Sequence, residues 1–482
     1  MGGQRHEQDD DLPLKLGPCS NGEYVPVPHS PVVAEAVRRT REAVYEHSRR
    51  LGVSRRSFLR SAGGTAAMLM ALGACTKESA EDAGEQVGGQ FDVPETAPED
   101  TEAAREALGG DGSVFDVQTH FLEYDGPSQG FGSGFPQADC GLDDPDDCYS
   151  IETYLGEIFL RSETAMAVVS AIPVVADDDP LSMEDMQRAR RTLDALCEDE
   201  RLLLHGRVRP TIEPLPAVLD EMSRQVDEYP VSAWKAYTHA AGPGWWLDDH
   251  DPSVPLVGDA VLDHARELGV TTFCVHKGLG GDNPFLSPGD IGPAAARHPD
   301  IDLVVYHSGY ENEFVEGPYD DSTEPRSVDR LVATVADAGI EPNQNVYAEL
   351  GSTWWLNMRD PTAAAHLLGK LLLAVGEDNV LWGTDSIWYG SPQDQIEAFR
   401  AFEITEPFQD RYGYPALTPE LKAKILGGNA ARLYGVDLPS AACDFDPDEL
   451  AASRVAIDAA WTTHGPETAS AVREHVATHG WA

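Results

Sequence analysis

Residues 183–238 read MEDMQRARRTLDALC, EDER, LLLHGRV, RPTIEPL, PAVLDEMSRQVDE, YPVS, AWKAYT. Met183 to Cys197 and Pro216 to Glu228 place apolar residues at helical spacing, whereas Leu202 to Val208 and Ala233 to Thr238 are short β-rich runs. Helix, strand, helix, strand in that order predicts a parallel sheet covered by helices. Ser182, with Asp185 three residues on, marks the start of the first helix.

Outward from this stretch the alternation continues. Further strand candidates are Val114 to Thr119, Ala167 to Ile172, Thr271 to His276, Leu303 to His307, Val346 to Gly351 and Val380 to Asp385. Further helices are expected at Gly258 to Leu268, Ser327 to Ala338 and Thr362 to Val375, with Ser327 as an N-cap and Asp360 before Pro361 as another start signal. Eight strand–helix units close into an α/β (β/α)8 TIM barrel more simply than they fill an open sheet; a doubly wound sheet is the alternative. The barrel is expected over residues 113–438, preceded by an extension (1–53), a signal segment (54–75) and an acidic linker (76–112), and followed by a C-terminal helical extension (439–482) with a helix-like run from Asp446 to Trp461.

The 482 residues are 41% hydrophobic, enough for one large core. Acidic residues exceed basic ones by 82 to 35, a net charge of −47, so the surface repels phosphate backbones and nucleic acid is not an expected partner. Gly278-Leu279-Gly280-Gly281 does not match a dinucleotide fingerprint, and there is neither a Walker pattern nor a GxSxG. Seven cysteines show no CxxC spacing and predict no disulfide framework; Cys140 and Cys148, flanking an acidic loop, are the exception and would bridge outside the cytoplasm.

Ser54-Arg55-Arg56-Ser57-Phe58-Leu59-Arg60, followed by the uncharged run Ser61 to Ala74, resembles a twin-arginine export signal. Leu72-Gly73-Ala74-Cys75 resembles a lipobox, which implies cleavage before Cys75, lipidation there, and a lipid anchor at the outer face of the cell membrane. Thr76 to Asp111, poor in large apolar residues, would then be a tether. The alternative is a cytoplasmic protein in which the same segments are surface helices.

In a barrel, chemistry sits where strands end. The expected strand ends carry Asp116-Val117-Gln118-Thr119-His120, Lys235 with His239, His276, His307, Glu349 and Asp385. Imidazole and carboxylate are the usual ligands of a divalent cation with one open position, and His120, His276 and Asp385 would supply three. For each histidine alone, a buried ring bonded to a backbone carbonyl is the competing reading.

Asp116-x-Gln118-x-His120, Val275-His276-Lys277-Gly278, Tyr306-His307-Ser308-Gly309, Trp382-Gly383-Thr384-Asp385 and Gly428-Asn429-Ala430-Ala431-Arg432-Leu433 together resemble the amidohydrolase superfamily, in the branch of aminocarboxymuconate semialdehyde decarboxylase-like proteins. The resemblance implies one divalent metal, zinc before manganese or iron, on His120, His276 and Asp385, with His307 and Asp385 in catalysis. It departs at Gln118, which stands where the first histidine of an HxH pair belongs and offers at best an amide oxygen; recruitment of His307 or Glu349 is the alternative. Lys235 is expected to face the pocket uncarboxylated. Lys277 and Arg359 are candidates for pairing a substrate carboxylate. Trp245-Trp246, Trp354-Trp355 and Trp388-Tyr389 either pack or line a pocket for a small, apolar or aromatic substrate, Trp354 being the one assigned to binding.

The expected function is metal-dependent hydrolysis of an ester, lactone or amide. Non-oxidative decarboxylation and binding without turnover are the alternatives; the sequence leaves the oligomeric state open, a homodimer being one assembly it allows.

Overall fold

The computed structural model describes residues 12–17, 19–110, 112–123, 145–173, 179–240, 242–280 and 283–443. Eight parallel strands run in sequence order: β1 (Val114–Thr119), β2 (Thr164–Val169), β3 (Leu202–Val208), β4 (Val231–Tyr237), β5 (Thr272–His276), β6 (Asp302–Tyr306), β7 (Val346–Glu349) and β8 (Val380–Leu381). Backbone hydrogen bonds join the last strand to the first: Val117 N–H to the Trp382 carbonyl (3.1 Å), Asp385 N–H to Gln118 (2.9 Å) and His120 N–H to Ser386 (2.7 Å). The sheet therefore returns on itself as a (β/α)8 barrel, and the doubly wound alternative falls.

Strand alternation sorts the side chains into two cores. Met166, Val168, Leu203, Cys274, Val304, Tyr306 and Tyr347 form one cluster, while their neighbours Ala167, Val169, Leu202, Leu204, Phe273, Val275, Leu303, Val305 and Ala348 belong to another. The first fills the bore and the second lies under the helices. Lys235, His276 and Glu349 continue the inner parity toward the C-terminal mouth. Helix Asn429–Tyr434 supports the other end, where the Tyr434 hydroxyl lies 2.8 Å from His205 Nε2.

The helix signals hold in two of three places. Ser182 accepts from Asp185 N–H at 3.1 Å, and Asp360 from Ala363 N–H at 3.1 Å. Ser327 makes no cap to its own helix; its hydroxyl accepts from Glu311 N–H instead, at 2.9 Å.

Residues ahead of the barrel pack against it. Helices Pro31–Leu51 and Ala62–Ala83 lie together, and the second buries Met68, Leu69, Leu72 and Cys75. Within the stretch expected to be a tether, Gly89–Phe91 pairs antiparallel with Phe402–Ile404, and Thr101–Leu108 buries Ala104 and Leu108. Composition suggested a solvated chain because it does not register backbone pairing. Arg55 and Arg56 are exposed, and among the described residues no helix is long and apolar enough to cross a membrane.

A disulfide that local spacing did not suggest joins Cys197 to Cys443 across 246 residues. It corrects the expectation that the cysteines form no framework beyond Cys140 and Cys148. Cys140 and the run Asp446 to Trp461 lie outside the described residues.

Candidate metal centre

The mouth of the barrel gathers His120, His276, His307, Asp385 and Gln118, each delivered by a strand end or its adjoining turn. His120 Nδ1 lies 2.7 Å from the Ser170 carbonyl and His307 Nδ1 lies 2.7 Å from the Gly351 carbonyl. A carbonyl only accepts, so both rings carry their proton on Nδ1 and present an Nε2 lone pair. The Nε2 of His120 faces Asp385 Oδ1 at 3.0 Å, while that of His307 faces His276 Nδ1 at 3.2 Å. If His276 donates from Nδ1, its own Nε2 is a lone pair too, and that atom is buried with no hydrogen-bond partner. A ring whose second nitrogen is fixed by a carbonyl is the usual arrangement around a bound cation. These lone pairs, with the Asp385 carboxylate, are of the kind that holds a divalent cation; among the described residues the donor atoms within 4.8 Å of one another are those of Glu23, His239 and His276 and those of Glu23, His307 and Asp385.

Asp385 is surrounded by donors. Its Oδ1 accepts from Gln118 Nε2 (2.9 Å), and its Oδ2 from Ser352 Oγ (2.6 Å) and Asn21 Nδ2 (2.9 Å). Burial pushes this carboxyl up, but the His120 contact, the His307 ring and the Ser352 hydroxyl together outweigh it and hold the group below the usual carboxylate range. Gln118 thus turns its amide N–H groups toward the carboxylate, leaving Oε1 buried and unpartnered. Its amide orients a ligand and is not itself the missing one.

Glu349 lies behind the cluster and accepts from the backbone N–H groups of His307 (2.9 Å) and Gly351. Burial pushes it to about 8. The close approach requires glycine at 351 and 383: a Cβ at either would collide with Glu349 Oε1, and one at 351 would also collide with the Gln118 amide. Asp116 accepts from Thr384 N–H (3.0 Å) and Gln118 N–H (3.1 Å), tying β1 to the turn after β8. Left-handed backbone at His307 (φ 63), Ser308 (φ 53), Ser352 (φ 55) and Asp385 (φ 60) clusters in the turns after β6, β7 and β8. Non-glycine residues hold such angles only where surrounding contacts impose them, and functional sites are where they concentrate.

Lys235 is 1% exposed, and its Nζ has no hydrogen-bond partner among the described residues; it sits 3.5 Å from the Tyr306 ring centroid and 4.7 Å from that of Tyr237. Burial pulls its pKa down to about 8. Lys277, in contrast, is paired with Asp290 at 2.8 Å and also donates to the Phe285 carbonyl, so it is not free for substrate. Trp354 is fully buried, donates from Nε1 to the Gln395 carbonyl (3.0 Å) and packs on Phe399 and Phe402. Its assignment to substrate is corrected: it is a packing residue. Trp355 stacks on Tyr389 at 4.4 Å beneath the Arg359 guanidinium, whose Nε and Nη2 are buried without partners. Cys75 is buried in helix Ala62–Ala83, away from the mouth.

Sequence reading missed the contribution of residues 12–24. Asn21 reaches Asp385, the Tyr24 hydroxyl lies 3.0 Å from that of Tyr389, and Glu23 Oε1 lies 3.6 Å from His276 Nε2. Burial, then the Asp385 charge, push Glu23 to about 8. Among the described residues, donor atoms lie within 4.8 Å of one another in two groups, Glu23–His239–His276 and Glu23–His307–Asp385. The alternation of Leu12, Leu14 and Leu16 was the available sign that this segment is buried.

No curated protein matches the chain. Among solved structures it is similar to an uncharacterised TIM-barrel protein from Bordetella bronchiseptica (13% identity, 67% of this chain and 99% of that one, TM-score 0.45). It is also similar to 5-carboxyvanillate decarboxylase from Novosphingobium aromaticivorans (14%, 68% and 99%, TM-score 0.40) and to 2,6-dihydroxybenzoate decarboxylase from Rhizobium (14%, 68% and 99%, TM-score 0.38). Residues 160–436, more than half of the sequence, match the amidohydrolase family, a span that contains His276, His307 and Asp385 and begins after β1. The chain belongs to the amidohydrolase family.

Proposed function

We propose that the protein is a metal-dependent enzyme that removes carbon dioxide from a small carboxylic acid. The observation that carries this reading is Lys235, a buried ammonium at the base of the site with no hydrogen-bonding partner and no ion pair among the described residues, although the Asp385 charge acts on it from farther off. An unpaired buried cation is costly, and a substrate carboxylate is the group that would offset that cost. The half-buried Arg359, with two partnerless nitrogens, extends the same cationic character.

When bound on His120, His276 and Asp385, a divalent cation supplies Lewis acidity that polarises an oxygen of the substrate. Asp385 stays ionised and accepts from Gln118 at Oδ1 and from Ser352 and Asn21 at Oδ2, which leaves a lone pair on Oδ1, so it serves as ligand and electrostatic partner rather than as a free base. As the bond to the carboxylate carbon breaks, its electron pair stays on the neighbouring carbon, which takes up a proton. In this reading His307, held neutral and fixed through Nδ1, takes a proton from water at Nε2, leaving hydroxide, passes it to that carbon and orients the substrate.

Hydrolysis of an ester, lactone or amide is the second reading. It is supported by the neutral His307 ring, whose pKa burial lowers to about 4 and whose Nε2 can accept a proton from water. Incubation of the zinc- or manganese-loaded protein with aromatic and dienoic acids, and separately with esters and lactones, distinguishes the two. Release of carbon dioxide with loss of one carboxyl supports the first reading. Ester cleavage without it supports the second, and full metal with neither activity would leave a binding protein.

A further inference from the structure

Residues 12–24 cross the C-terminal mouth of the barrel and are anchored on both sides of the metal ligands. Lys15 donates from its backbone N–H to Asp394 (2.8 Å) and from Nζ to the carbonyls of Tyr389 (3.0 Å) and Ser391 (2.6 Å). Gly17 takes φ 81 where a Cβ would meet the Trp355 ring at 2.9 Å, so the chain turns against the barrel wall. Asn21 then fixes Glu23: its Oδ1 accepts from Glu23 N–H (3.0 Å), and its Nδ2 donates to both Glu23 Oε2 (2.7 Å) and Asp385 Oδ2 (2.9 Å).

These bonds place the Glu23 carboxylate beside a ligand that lacks a partner. His276 is 1% exposed and its Nε2 makes no hydrogen bond, yet Glu23 Oε1 stands 3.6 Å away, too far to bond directly. Two ligand atoms about 2.1 Å from one tetrahedral cation are about 3.4 Å apart. The gap is thus the one a shared cation would leave. Among the described residues two groups of donor atoms lie within 4.8 Å of one another, Glu23 with His239 and His276 and Glu23 with His307 and Asp385, and in both Glu23 is the member supplied from outside the barrel.

We propose that Glu23 is a ligand of the active-site metal, delivered by the N-terminal arm, so that the centre is complete only with residues 12–24 docked. The inference rests on the reading of a metal at His120, His276 and Asp385. It carries a consequence for processing: cleavage before Cys75 would remove Glu23 and leave the centre short of a carboxylate, so the working enzyme keeps its arm.

Full-length wild type, Glu23→Gln, Glu23→Ala and His276→Ala are stripped with chelator, and zinc affinity is measured by competition with a chromophoric chelator. Cobalt is substituted for the absorption spectrum. Wild type is expected to hold zinc, both Glu23 variants to bind it about 10-fold or more weakly with an altered cobalt spectrum, and His276→Ala to lose it. Equal melting temperatures of the stripped Glu23 variants and wild type would show that the fold is intact. Wild-type affinity and an unchanged spectrum in both Glu23 variants, with loss in His276→Ala, would overturn the role of Glu23 and leave the metal reading standing. Absence of zinc from wild type would overturn both. Intact zinc with raised turnover in Glu23→Gln would make the arm a plug and likewise overturn the proposal.

Discussion

Gln118 Nε2 donates to Asp385 Oδ1 at 2.9 Å, across the seam where the first strand meets the last. The position that would pair with His120 in an HxH motif therefore holds a ligand in place and adds no lone pair of its own. Among the described residues its amide oxygen has no hydrogen-bond donor.

Gln118→His restores the pair and replaces an amide proton by an imidazole lone pair. Zinc retention through dialysis is expected to increase, read by elemental analysis of both proteins after the same number of buffer changes. Equal retention would mean that the side chain at 118 does not reach the cation.

Asp385→Asn exchanges an acceptor for a group whose own N–H must meet one of the donors Gln118, Ser352 or Asn21. One of those bonds is lost and the negative charge goes with it. Metal content is expected to fall, and turnover with it by more than the roughly 10- to 100-fold that loss of an outer-sphere partner of a metal ligand costs. Undiminished kcat in a metal-replete variant would remove Asp385 from the mechanism.

Lys235→Met removes a buried ammonium that makes no hydrogen bond among the described residues and leaves a flexible apolar chain between the rings of Tyr306 and Tyr237. The variant is expected to be more stable by about 1 kcal/mol or more and to lose turnover on an acid substrate. A denaturant midpoint equal to or below that of wild type would mean that the ammonium is satisfied in solution.

The sequence made the barrel legible because each strand is a compact apolar run and each site residue ends one. Boundaries moved where local signals were weak. The second strand starts at Thr164, ahead of the expected Ala167, because Ala165 and Met166 are buried as well. The eighth keeps only Val380 and Leu381; beyond them the chain bonds singly to the first strand, and Asp385 takes a left-handed backbone (φ 60). Glu23 was not legible: nothing within the stretch from Leu12 to Tyr24 encodes where it docks, and that depends on Asp394, Tyr389 and Asp385 far along the chain. The Cys197–Cys443 bond was hidden for the same reason, since its partners share no local spacing.

That bond fastens residues 441–443 to the barrel, where Arg201 Nη1 also donates to the Ala441 carbonyl at 2.7 Å. Closing a long loop restricts the unfolded chain, and loss of such a bond costs about 2–5 kcal/mol. Cys443→Ser is expected to lower the melting temperature and to shrink its further fall on reduction to what the separate bond of Cys148 contributes, whereas wild type should show the larger fall when reduced. No effect of reductant on wild type would show that the thiols are unpaired in the isolated protein.

His366 supplies a pH dependence remote from the metal. Its Nδ1 lies 3.0 Å from the Tyr414 hydroxyl, and its ring packs against Phe408 and Tyr412. Burial first, then the charges of Lys370 and Arg411, lower its pKa to about 4. The unfolded chain, with an ordinary value of 6.5, takes up its proton earlier as the pH falls. Between these values the unfolded state binds more protons, so this residue's contribution to stability is present above 6.5 and is lost on descent toward 4. His366→Gln keeps a side chain able to bond Tyr414 and has no proton to gain. The drop in melting temperature from pH 7 to about pH 4.5 should therefore be smaller in the variant than in wild type, with carboxylates common to both proteins cancelling in the comparison. Parallel curves would mean that the folded protein accommodates the imidazolium, and that the ring is more open to water than its contacts with Phe408, Tyr412 and Tyr414 require.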